Sequence, residues 1–61
     1  MTPAAIVREL RGELSQAEFG ALLGVSASLI CEAEQGRISV NLAVKLAAFS
    51  GRPVGDFLKG E

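Results

Sequence analysis

The chain has 61 residues, which predicts a single domain (1–61) close to the lower size at which a hydrophobic core alone holds a protein folded. Apolar residues make up 49% of it and charged residues 21%, a balance that excludes a disordered polymer. One Cys and no His exclude an internal disulfide and leave a zinc site without ligands, and a net charge of −1 offers no overall attraction to a polyanion.

No apolar run approaches the length of a membrane span, and Met1-Thr2-Pro3 lacks the basic start of a secretory signal. The lone thiol, Cys31, fits a reducing compartment, so a cytoplasmic protein without cofactor or metal is expected. With no His, no clustered carboxylates and no Gly-rich phosphate loop, no catalytic constellation can be assembled, and an enzyme is not expected. No internal repeat, low-complexity tract or linker is present. Gly12, Gly24, Gly36, Gly51 and Gly55 punctuate the chain, and the apolar residues between them recur at helical spacing. The prediction is an all-α chain of five helices.

The first helix starts with Thr2 as N-cap and Pro3 at the first helical position, where its missing N–H costs nothing. Ile6, Val7 and Leu10 share its inner face, and Gly12 supplies a left-handed stop. The second helix carries the strongest start signal, an S-x-x-E capping box at Ser15 and Glu18, with Leu14 and Phe19 placed for a hydrophobic staple. Phe19, Leu22 and Leu23 are predicted to be buried. Gly20 costs roughly 1 kcal/mol against Ala in a helix interior, which implies that another helix approaches the bare backbone there. Gly24 ends this helix and Ser26 caps the next, leaving a join, Gly-Val-Ser, too short for antiparallel packing; it favours the steep crossing of a helix-turn-helix.

The third helix is predicted over Ala27–Gln35, ended by Gly36. At 100° per residue, Leu29, Ile30 and Ala33 fall on a core face, with Ala27, Ser28, Cys31, Glu32 and Gln35 opposite. The fourth, Val40–Phe49 after Ser39 as cap, is apolar almost all round, which predicts a central helix covered on several sides. A last turn, Val54–Leu58, carries Phe57 and Leu58, which either close the core or form part of a dimer contact.

The run Leu14–Gly36, LSQAEFGALLGVSASLICEAEQG, closely resembles the helix-turn-helix of the phage repressor and Cro (XRE-type) regulators, whose pattern is roughly LSQxELAxxxGVSxxxIxxxExG. Leu14, Ser15, Gln16, Glu18, Gly24, Val25, Ser26, Ile30, Glu34 and Gly36 match it in order and spacing, and KLAAFSGRPVGDFL resembles the family's fourth and fifth helices. The resemblance implies a compact, five-helix, lambda-repressor-like DNA-binding domain, its helix-turn-helix formed by helices 2 and 3. It further implies a sequence-specific transcriptional regulator that lays the third helix in the major groove of double-stranded operator DNA, as a homodimer on a palindromic site.

Carried over by position, Gln16 contacts a phosphate. Ser26, Ala27, Ser28 and Glu32 lie nearest the bases or flanking backbone with Cys31 beside them, and Arg37 touches phosphate. Glu34 in this family pairs internally with an Arg of the first helix, here Arg11; the link Gly12-Glu13 is shorter than the family's, a departure that bears on whether Arg11 reaches. Glu32 admits two roles, accepting from a cytosine amino group or repelling phosphate. The third helix lacks any cation on its outer face, which favours a rival class of function: a protein-interaction module, or an antitoxin-type domain that binds a toxin or other protein partner, with DNA binding weak or lost.

Overall fold

A computed structural model describes residues 2–58 and shows, among them, five helices and no strand: α1 (Pro3–Arg11), α2 (Gln16–Leu23), α3 (Ala27–Ala33), α4 (Val40–Ser50) and α5 (Gly55–Leu58). No helix among the described residues is long and apolar enough to cross a membrane. Four of the five start on the expected caps. Thr2, Ser15, Ser26 and Ser39 each accept from the backbone N–H three residues on, at 3.0–3.3 Å, which satisfies one otherwise orphaned donor per helix. The capping box of α2 is complete, the Ser15 N–H donating in return to Glu18 Oε1 at 2.9 Å.

The core is built from Ile6, Val7, Phe19, Leu23, Ile30, Ala33, Leu42, Ala43, Leu46 and Phe57, with Leu10, Leu14, Val25 and Val54 partly buried against it. Phe57 therefore closes the core, while its neighbour Leu58 stays in water. The α2–α3 corner is the tightest join. Gly24 takes the left-handed conformation (φ 77°, ψ 29°), and the N–H groups of Gly24 and Val25 donate to the carbonyls of Ala21 and Gly20, a Schellman end that turns the chain at once into α3.

Five expectations are corrected. Gly20 is approached closely, but by the turn rather than by another helix: a Cβ there would lie 2.6 Å from the Val25 carbonyl oxygen and 3.2 Å from the Ser26 backbone. The α2 face is thereby rolled toward Gly20, and Leu22 is left 61% exposed instead of buried. In α3, the buried arc is Ile30, Ala33 and Glu34, so Leu29 moves to the rim. The helix also ends at Ala33 rather than Gln35. Its last turn tightens into i→i+3 bonds, Gln35 N–H to Glu32 O and Gly36 N–H to Ala33 O, both 3.0 Å. Lastly, α4 is covered only on the side of Leu42, Ala43 and Leu46; Val40, Val44 and Phe49 stay exposed because α2 and α5 pack along one side of it.

Gly20→Ala tests the corner. Helix propensity alone would make the change stabilising by roughly 1 kcal/mol, whereas overpacking against fixed backbone costs about 1–3 kcal/mol. The 2.6 Å approach makes the clash the larger effect, so urea unfolding should show a lower midpoint with an unchanged slope. A raised midpoint would show that the turn does not press on α2.

Candidate nucleic-acid interface

Glu34 organises the side of the molecule where α1, α2 and α3 meet. It is the buried charged residue of the core, 7% exposed, and burial of a lone carboxylate would be prohibitive without donors. Arg11 meets it from the end of α1, Nε to Oε2 at 2.5 Å and Nη2 to Oε1 at 3.3 Å. The short Gly12-Glu13 link thus leaves Arg11 within reach, and its Nη1 also donates to Leu14 O at 2.8 Å, fastening the entry to α2. Arg8 Nη2 donates to the Glu34 carbonyl oxygen at 3.2 Å, taking up a backbone acceptor at the end of α3.

Gln16 belongs to the same cluster. From the first residue of α2 its Nε2 donates to Glu34 Oε1 at 3.3 Å, so the side chain assigned by resemblance to a phosphate is held, half-buried, by the end of α3. The cluster therefore fixes the start of α2 against the end of α3. With the Gly24 corner fixing the other two ends, α3 is held at both termini.

The remaining residues of the expected site lie on α3 or just beyond it. Ser26 is exposed and spends its hydroxyl as the cap, accepting from Leu29 N–H at 3.3 Å. Ser28 and Glu32 are exposed, as is Gln35; Ala27 and Cys31 are half-buried at one edge of this face and Leu29, 38% exposed, at the other. Gln35 Nε2 donates to Cys31 Sγ at 3.4 Å, a bond that orders the amide across the surface. Arg37 is exposed past the end of α3, its backbone N–H bound to Glu32 O at 2.9 Å. Ser26, Ser28, Glu32 and Arg37 are thus exposed on or beside α3 and Ala27 and Cys31 half-buried there, while Gln16 is held in the Glu34 cluster.

Charge is scarce on that surface. Arg8 and Arg11 serve Glu34, and Arg52 pairs with Asp56 at 3.4 Å. Among the described residues this leaves Arg37 and Lys45 without an acceptor, and Lys45 lies over the end of α2, its Nζ 3.9 Å from where a Gly24 side chain would begin. The inward role of Gln16 and the outward drift of Leu29 escaped sequence reasoning. The signal available was Glu34 itself: a carboxylate in the buried arc moves the centre of that arc away from Leu29.

Arg11→Ala should lower stability by about 2 kcal/mol, less than the ~3–5 kcal/mol of a fully enclosed pair because Arg11 keeps 26% exposure and Gln16 still donates. Arg11→Met combined with Glu34→Leu should recover most of that loss, since an apolar pair needs no compensation. Urea titrations of the single and double variants read the coupling; additive effects would show that the pair does not hold α3 in place. Comparison with protein-family models, with curated proteins and with solved structures yields no match for this chain.

Proposed function

We propose that the chain is a sequence-specific DNA-binding regulator of the phage repressor and Cro type, with α2 and α3 as its helix-turn-helix and α3 as the helix that enters the major groove. The observation that carries this reading is the mounting of α3. It is clamped at its start by the Gly24 corner on Gly20 and at its end by the Glu34 cluster, yet it leaves Ser28, Glu32 and Gln35 exposed. A helix held at both ends, with an outer face of polar side chains, suits base-edge contact, where positioning precision matters. Ser28 can exchange hydrogen bonds with a base edge, the Ala27 methyl can meet a thymine methyl, and Glu32 can accept from a cytosine amino group. Arg37 is the phosphate contact at the end of α3. With Arg37 and Lys45 the cations without an acceptor among the described residues, electrostatic affinity is small, so two linked copies are needed for useful occupancy.

The second reading, a protein-binding module of the antitoxin kind, is favoured by a different observation: an outer α3 face that carries Glu32 but no cation, in a molecule that also exposes Leu22, Val40, Val44 and Phe49. Salt-titrated selection from a random DNA pool separates the two. A regulator retains a short palindrome with a measurable salt slope, whereas no retention at low salt by demonstrably folded protein overturns the DNA reading. On the selected site, Ser28→Ala should relax preference at one base position by about 1–3 kcal/mol. Arg37→Ala should instead weaken all sites alike and reduce the salt slope by about one. Identical effects from the two variants would refute the roles assigned here.

A further inference from the structure

The uncovered side of α4 carries a row that no contact within the molecule explains. Val40, Val44 and Ala48 follow at i, i+4 and i+8, one line along the helix, and Val40 and Val44 are 63% and 51% exposed. At its Ala48 end the row opens into a shallow groove lined by Leu22, Leu23, Lys45, Ala48 and Phe49, with a volume of about 320 Å³. Of its lining residues, Phe49 is held edge-on to Phe19 at 5.4 Å and 81° and is still 46% exposed, and Leu22 is 61% exposed. The band therefore has a bulky end at Val40 and a hollow end at Ala48.

The geometry points to a second copy of this chain as the occupant, with the two α4 helices packed antiparallel about a two-fold axis at Val44. Such an axis sets the partner's Val40 opposite Ala48, so that each protruding valine enters the groove of the other copy, and Val44 meets the partner's Val44. The shape is self-complementary, as a two-fold contact requires, and alanine at the hollow end lets the backbones approach. No acidic or basic side chain lies within the row; Lys45 flanks it, where its stem can lie along the groove while the ammonium stays in water. The exposed parts of Val40, Val44, Leu22 and Phe49 amount to roughly 400 Å², the scale of the largest apolar patch on a monomer. That is about half of the ~800 Å² per partner in a standard stable interface. The dimer is accordingly weak and concentration-dependent, of the kind that assembles fully on a two-site ligand. This names the dimer face of the proposed regulator, resting on that reading only for the need of two copies.

The test is made on the 61-residue protein without DNA, so that its failure and failure of the DNA reading are distinguishable. Sedimentation equilibrium should show a monomer–dimer equilibrium. Val44→Lys should weaken it about tenfold or more by placing two cations on the axis, while Ala17→Lys, on an exposed position of α2, leaves it unchanged. Register is read by cross-linking in a Cys31→Ser background. Val44→Cys should form a disulfide with its own copy. Val40→Cys should not, its two positions lying about 12 Å apart along the pair, but it should link when mixed with Ala48→Cys. A protein that stays monomeric at concentrations on the order of 1 mM, a dimer indifferent to Val44→Lys, or Val40→Cys linking to itself as fast as Val44→Cys would each overturn the proposal.

Discussion

The arrangement depends on one buried carboxylate. Glu34 is set among apolar side chains, where a charge is tolerated only if its oxygens are met by donors. Arg11 and Gln16 meet them, and Arg8 takes the carbonyl of the same residue. Because those donors come from two different helices, satisfying one residue fixes three helices against each other. An apolar residue in its place would be content with any greasy contact, and α3 would lose the directional constraint that hydrogen bonds impose. In a chain of this size, with ten buried apolar residues among those described, such directionality matters more than additional burial area.

The same side chain explains what was and was not legible in the sequence. Helix starts were readable because each depends on local chemistry: a hydroxyl three residues before a free N–H works in any surroundings, and Thr2, Ser15, Ser26 and Ser39 all act so. The corner at Gly24 was readable for the same reason. Facing was less so. Periodicity sorts residues by hydrophobicity, so it assigned Leu29 to the core of α3 and Leu22 to that of α2. In the structure each helix is rolled by a neighbour that hydropathy does not see, a carboxylate in one case and a stretch of turn backbone in the other. For α4 the pattern correctly showed apolar residues all round, but it carries no information on how many neighbours exist to cover them.

Of the residues the resemblance assigns to the site, Ser26, Ser28, Glu32 and Arg37 are exposed on or beside α3, and Ala27 and Cys31 are half-buried there. Gln16 differs because the first residue of α2 faces the end of α3, where Glu34 is the nearest acceptor. Its engagement shows how a residue type suited to an external contact can be drawn into a network inside the protein. A hydrogen bond of 3.3 Å at half-burial is a modest hold.

The shortness of α3 has a consequence for information. Seven residues at ~1.5 Å per residue make a rod about 10 Å long, which covers roughly three base-pair steps of 3.4 Å. On the proposed reading, a two-fold pair then inspects roughly six base pairs directly, a word that recurs by chance on the order of every few thousand base pairs. Discrimination in a genome would have to come from elsewhere: from the spacing enforced between two copies, from the stiffness of the DNA between them, or from clusters of sites occupied together.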